Sequence, residues 1–186
     1  MEFRDVIYGR RSVRDFTAEP VDELALKAVI DVAIQAPSAI NEQPWSFCII
    51  RDQGLLDRIS QKAKAHMLQE ASSGNVPTRL REHLADPKFH IFYHAPALIL
   101  ISATEAGIWA VEDCTLAAQN LMLGAYAAGL GSCWIGFAQR WLQTDEGKIF
   151  LQLPHHYMPI APIIVGHPRS KASAVERRTA QIRWIG

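Results

Sequence analysis

The sequence predicts a single α+β domain. Apolar segments of helical and strand type alternate without a strict βαβ rhythm, and no shift in composition marks a linker. With 186 residues, 49% hydrophobic and 20% charged, the chain is long and apolar enough for one ordinary core. Nineteen Lys+Arg against nineteen Asp+Glu leave no formal net charge. That balance argues against general nucleic-acid binding, which needs a basic excess to neutralise phosphates.

Taken in order, residues 21–36 read as a largely buried helix, with Leu24, Ala28, Ile30, Val32 and Ile34 set among Asp22, Glu23, Lys27 and Asp31. Pro20 pre-sets its start, the acidic pair suits the positive end of the helix dipole, and Pro37 stops it. Residues 46–50 form a short, partly β-branched run that reads as a strand. Asp52 then caps a helix over 55–68, with Leu55, Ile59, Ala63 and Met67 on one face. From 72 to 90 the periodicity is lost among Gly74, Asn75, Pro77 and Pro87, which predicts an irregular excursion with one short helix around Leu80, able to cover a site.

Residues 97–102 are continuously apolar, the pattern of a central strand buried on both faces. A long helix over 109–128 follows, with small residues at Ala110, Cys114, Ala117, Ala118, Gly124, Ala125 and Ala128. Two readings of that smooth face stand side by side, internal core packing and a subunit interface. Gly129 and Gly131 end the helix, a shorter helix covers 144–153, and a last strand covers 160–165. The tail, 169–186, is basic and then apolar at Ile182, Trp184 and Ile185.

Cys48, Cys114 and Cys133 have no Cys-x-x-Cys spacing and read as reduced thiols. The opening Met1-Glu2-Phe3-Arg4-Asp5 lacks the apolar stretch of a signal peptide, and no apolar run is long enough to span a bilayer. The expectation is a soluble cytoplasmic protein.

Chemistry concentrates in three clusters. In Arg10-Arg11-Ser12-Val13-Arg14, a helical turn or tight bend would point Arg10 and Arg14 the same way and make a phosphate cradle with the Ser12 hydroxyl; the plain alternative is a solvated basic face. Pro37, Ser38, Ala39, Asn41 and Gln43, ahead of Pro44-Trp45, form a polar loop held by prolines. Its amides and hydroxyl can pair with the edge of a heteroaromatic ring or with the loop's own backbone. Gly129-Leu130-Gly131-Ser132-Cys133-Trp134-Ile135-Gly136-Phe137 is not a dinucleotide fingerprint, because Trp134 occupies the last glycine position and a helix, not a strand, precedes it. Cys133 reads there as a buried small residue.

His90 and His94 stand at the i, i+4 spacing of zinc ligands, but Ile91 replaces the metalloprotease Glu and Pro87 and Pro96 crowd the segment, so no metal is expected. No Gly-x-Ser-x-Gly elbow supports a hydrolase triad.

The order and spacing of the clusters, together with Ala118-Gln119-Asn120-Leu121 and Val165-Gly166-x-Pro168, resemble the nitroreductase family of flavin enzymes across nearly the whole chain. The resemblance implies a nitroreductase-like FMN-binding fold over 1–186, with a central, mostly antiparallel sheet flanked by helices. It also implies an intertwined homodimer with sites built from both chains, the tail 169–186 reaching the partner subunit. By the same resemblance Arg10, Arg11 and Ser12 hold the FMN phosphate or ribityl chain, and Arg14, the implied catalytic residue, lies at the pyrimidine end of the flavin. Pro37, Ser38, Ala39, Asn41 and Gln43 line the ring from the other subunit, Trp134, Ile135 and Gly136 pass near its face or N5 edge, and Arg177 or Arg178 contacts the phosphate. Phe137 stands where family members carry a second glycine.

The implied activity is an NAD(P)H-dependent flavin oxidoreductase, using NADH or NADPH as donor and a nitroaromatic, quinone or similar small acceptor by a ping-pong mechanism. The alternatives are a flavoprotein of this fold with different chemistry, dehalogenation or oxygen-dependent flavin cleavage, and a non-enzymatic module on the scaffold.

Overall fold

The computed structural model describes residues 1–71 and 78–186. The elements run α1 (Phe3–Gly9), α2 (Glu23–Ala33), a 3-10 turn (Ala39–Asn41), β1 (Trp45–Ile50), α3 (Gln53–Ala71), α4 (Thr78–Ala85) and β2 (Ala97–Ala103). They continue with α5 (Ala110–Ala127), β3 (Gly131–Trp134), α6 (Gly136–Gln143), α7 (Asp145–Phe150) and β4 (Met158–Gly166). The four strands form one antiparallel sheet in the order β1-β2-β4-β3, so β1 and β3 are its edges.

Strand side chains alternate between two cores. On one face Ile99, Ile101, Ile163 and Val165 meet Leu26, Val29, Cys114, Ala117, Ala118 and Leu121 of α2 and α5. On the other, Leu98, Leu100, Cys133 and Ile164 meet Leu56, Ile59, Ala63, Ala138, Trp141 and Leu142 of α3 and α6. The central strand β2 is buried at all of its positions, which is why its sequence shows no polar alternation.

Caps fix where the helices begin. The Asp22 carboxylate accepts from the Leu24 N–H at 2.6 Å, and Asp52 accepts from the Leu55 N–H at 2.6 Å. Gly129 takes the left-handed conformation, φ 77°, that closes α5. The small residues of α5 serve mainly the core: Ala110, Cys114, Ala117, Ala118 and Ala125 are buried. Gly124 lets α2 approach, since a Cβ there would sit 3.0 Å from Val32.

Several expectations are corrected. Residues 10–14 form neither a helical turn nor a tight bend: α1 ends at Gly9, and the chain then runs extended, with Ser12 bridging Ser132 in parallel. The Gly131–Trp134 segment is an edge strand, and α6 starts at Gly136; neither was foreseen, because a four-residue strand gives too short a periodic signal. The helix expected over 144–153 is shorter, Asp145–Phe150. Of the predicted excursion, residues 72–77 lie outside the described residues, while α4 supplies the short helix around Leu80. No helix among the described residues is long and apolar enough to cross a membrane.

Candidate active site

The extended course of residues 10–14 decides what the basic cluster can do. In extended chain, alternate residues share a side. Arg10, Ser12 and Arg14 accordingly face the Cys133 thiol on β3: Ser12 hydrogen-bonds it and both guanidiniums act on it electrostatically. Val13 faces the other way and lies over Gly131, where a Cβ would come within 2.8 Å of it. Glycine at 131 is what allows this segment to run against the sheet edge.

Arg10 is half-buried and held below its usual range, first by burial and then by the charges of Arg177 and Arg11. The tail therefore returns Arg177 to the cluster. The Arg11 guanidinium donates to the carbonyls of Tyr8 at 2.7 Å and Arg10 at 2.8 Å, and its Nε is buried without a partner. Arg11 thus closes the end of α1. Arg14 lies over the Tyr93 ring at 5.9 Å from its centroid and hydrogen-bonds that side chain. Burial raises the Tyr93 hydroxyl pKa, and the Arg14 charge and hydrogen bond draw it partly back. Among the described residues no carboxylate forms an ion pair with Arg10, Arg11, Arg14 or Arg177. Like charges this close, without a counter-ion, make an anion site.

Burial pushes the Cys133 thiol up, with Arg14, Ser12 and Arg10 opposing it, so it behaves as packing and not as a nucleophile. Trp134 is half-buried on the α5 side and Ile135 is buried. Gly136 is exposed, with nothing within 4 Å of where a Cβ would lie, at an α6 N-terminus that lacks a side-chain cap. A flat group can approach the backbone closely there.

The polar loop is a second, separate cluster. Ser38 Oγ accepts from the Gln43 N–H at 3.0 Å, and the Gln43 amide donates to Asn41 Oδ1 at 3.0 Å. Pro37, Asn41 and Gln43 are exposed; Ser38 and Ala39 are half-buried. Ile40, Asn41 and Gln43 all have positive φ, 43°, 60° and 50°, which is rare for a β-branched residue such as Ile40. The Ala39 N–H donates to Asp113 Oδ1 at 3.0 Å, and the other oxygen of this buried carboxylate has no partner. Asp113 was not singled out in the sequence, and neither was Tyr93. An acid in the first turn of α5 was a faint signal for the first; nothing local marked the second.

Strand register shows how far apart the two clusters lie. Trp45, at the loop's end, is level with Ala103 and Met158, whereas Ser132, beside the arginines, is level with Val165 and Ala97. They occupy diagonally opposite corners of the sheet, roughly 14 Å apart across three strand spacings and roughly 20 Å along the strands. One chain does not bring the arginines and the polar loop together.

Comparison with known proteins places the fold and the family. A protein of Archaeoglobus fulgidus, provisionally named NADH dehydrogenase/NAD(P)H nitroreductase, is 29% identical over 172 residues, covering 92% of this chain and 88% of the relative. An iodotyrosine deiodinase of Thermotoga neapolitana is 31% identical over 137 residues, covering 69% of this chain and 70% of its own. The solved structure of a nitroreductase with bound FMN from Bacteroides fragilis superposes with a TM-score of 0.82 at 23% identity, covering 100% of each chain. The nitroreductase family profile matches residues 7–167, and the chain belongs to that family.

Proposed function

We propose that two copies of this chain form an FMN-dependent oxidoreductase that passes electrons from NADH or NADPH to a nitroaromatic, quinone or similar small acceptor. The observation that carries this reading is the convergence of Arg10, Ser12, Arg14 and Arg177 without a carboxylate partner. That donor set suits a phosphate and an electron-rich ring edge. Bound FMN would supply the redox chemistry, taking hydride from reduced nicotinamide and returning electrons to the acceptor in alternate half-reactions.

The chain's own residues bind and bias. Arg10, Ser12 and Arg177 would hold the phosphate end, and Arg11 secures the end of α1, from which Arg10 projects. Arg14, steadied on Tyr93, would offer a cation to the negative charge that gathers on the flavin when it is reduced. A unit charge at about 4 Å is worth on the order of 4 kcal/mol at an effective dielectric near 20, enough to tune a redox potential. Ser38, Asn41 and Gln43, on a loop that the Ala39 N–H anchors to Asp113, would offer polar groups to the ring from the partner subunit, because the same chain's loop is at the far corner of the sheet. Exposed apolar side chains support the dimer: Phe3 is 76% exposed, Ile108 87% and Trp184 89%.

The test is the absorption spectrum of the purified protein, before and after anaerobic NADH or NADPH, followed by turnover with menadione or a nitrofuran. A flavin spectrum that bleaches and recovers on adding acceptor is expected. A colourless protein that takes up no added FMN would overturn the reading. The similarity to a deiodinase favours reductive dehalogenation as the second reading; release of iodide from iodotyrosine, with no turnover of quinone or nitro compound, would select it.

A further inference from the structure

In the segment that carries Tyr93, α3 and the turn before β2 bring together a side-chain set that the flavin chemistry leaves unused. Asp57, Ser60, Gln61 and Lys64 lie at i, i+3, i+4 and i+7 on α3 and line a groove together with His90 and His94. Three bonds lace the helix to the turn. Ser60 Oγ accepts from the Ile91 N–H at 3.1 Å, Lys64 Nζ donates to the carbonyls of Asp86 and Phe89 at 2.7 Å each, and His90 Nε2 meets Asp57 Oδ1 at 3.1 Å. The His90 and His94 rings lie 4.4 Å apart, centroid to centroid, tilted by 31°. One ligand atom from each of Asp57, His90 and His94 falls within 4.8 Å of the others.

We propose that Asp57, His90 and His94 form a three-ligand site for a divalent cation of the zinc type, clipping α3 to the turn ahead of β2 and leaving a fourth position open to the groove. Two imidazoles and a carboxylate are the donor types that zinc, cobalt and nickel select, and that magnesium and calcium do not. Around a tetrahedral ion with bonds of about 2.0–2.1 Å, donor atoms lie roughly 3.3 Å from one another. Asp57 and His90 already stand at that separation. His94 is exposed, and a small change of its side-chain torsions closes the remainder.

The laced backbone fixes the spacing before any ion arrives, which lowers the cost of binding. Two features weaken the site without abolishing it. The Lys64 ammonium is nearby, but the two carbonyls hold it, so it does not compete for Asp57. The Phe92 N–H donates to His90 Nδ1 at 3.2 Å. For Nε2 to bind metal the ring proton moves to Nδ1, and that long contact is given up in exchange for the new metal–ligand bonds.

The experiment is zinc titration of untagged, flavin-loaded protein against a chromophoric chelator, with cobalt absorption reporting the geometry. One ion per chain is expected. His94→Gln and Asp57→Asn should each weaken binding by more than about a hundredfold, beyond the roughly 10–100-fold that loss of a supporting outer-shell residue costs. Both side chains are exposed, so circular dichroism and flavin content should stay at wild-type levels. His155→Gln paired with His156→Gln, elsewhere on the surface, should change nothing. Equal affinity in wild type and His94→Gln, or no binding in wild type, would overturn the site.

Discussion

Arg10 and Arg14 start from the same sequence cluster but have different surroundings, and the difference predicts different phenotypes. Arg10 is partly desolvated and crowded by Arg177 and Arg11, so its positive charge is costly until an anion arrives. Arg10→Ala should therefore cost FMN retention, measured as flavin per chain after dialysis, with little loss of fold stability. Arg14 is exposed and steadied on Tyr93. Arg14→Ala should retain more flavin than Arg10→Ala but slow its reduction by NAD(P)H and lower the flavin midpoint potential; wild-type reduction with full occupancy would refute the role.

The thiols give a residue-scale prediction that does not depend on flavin. Burial, with the Asp113 carboxylate adding to it, pushes Cys114 from 9.0 up to about 12, and burial also raises Cys48 and Cys133. All three should resist a disulfide reagent at pH 8 in the native protein and react together on unfolding. The sign of the linkage follows. The fold holds the Cys114 proton more tightly than the unfolded chain does, so stability is unaffected below pH 9 and falls between pH 9 and about 12 as the unfolded state ionises.

At the scale of elements, caps were the most legible feature and short edge strands the least. Asp52 announced α3 because a carboxylate three residues ahead of an apolar period satisfies a free N–H, and the structure makes that bond at 2.6 Å. Asp52→Ala should cost about 1 kcal/mol, a fall in Tm of roughly 2–4 °C by calorimetry. By contrast β3 is four residues long, and its role as the arginines' platform comes from the bridge of Ser12 to Ser132, a contact 120 residues away in sequence that no local pattern encodes. The same limit hid the course of residues 10–14. Read as a turn, Arg10 and Arg14 share a side; as extended chain they share it too, but Ser12 joins them and Arg11 leaves. The polar loop was legible by composition, though not its strain. With φ at 43°, Ile40 should tolerate glycine with unchanged or slightly higher stability. If its 91% exposed side chain packs on the partner, Ile40→Gly should nonetheless weaken the dimer, measured by sedimentation.

For the whole molecule, the balanced charge of the sequence conceals an asymmetry that only the topology exposes. Guanidiniums with no carboxylate partner among the described residues gather at one corner of the sheet and the polar loop sits at the diagonal corner, so a second copy turned about a two-fold axis can bring one chain's loop to the other's arginines. An apolar groove lined by Phe3, Val6, Val29, Val32, Leu123 and Gly124 lies where α1, α2 and α5 meet, and it is the surface we propose such a copy to cover. Flavin binding and association should then be one equilibrium: FMN raises the dimer fraction, and dilution releases FMN. Val32→Glu puts a carboxylate in that groove, and as Val32 is 41% exposed in the single chain, the fold should survive the change. Expected are a monomer in gel filtration, native circular dichroism and loss of most bound FMN. A Val32→Glu monomer that kept one FMN per chain would show that each chain carries a whole site, and would overturn the two-chain arrangement while leaving the arginine cluster's role intact.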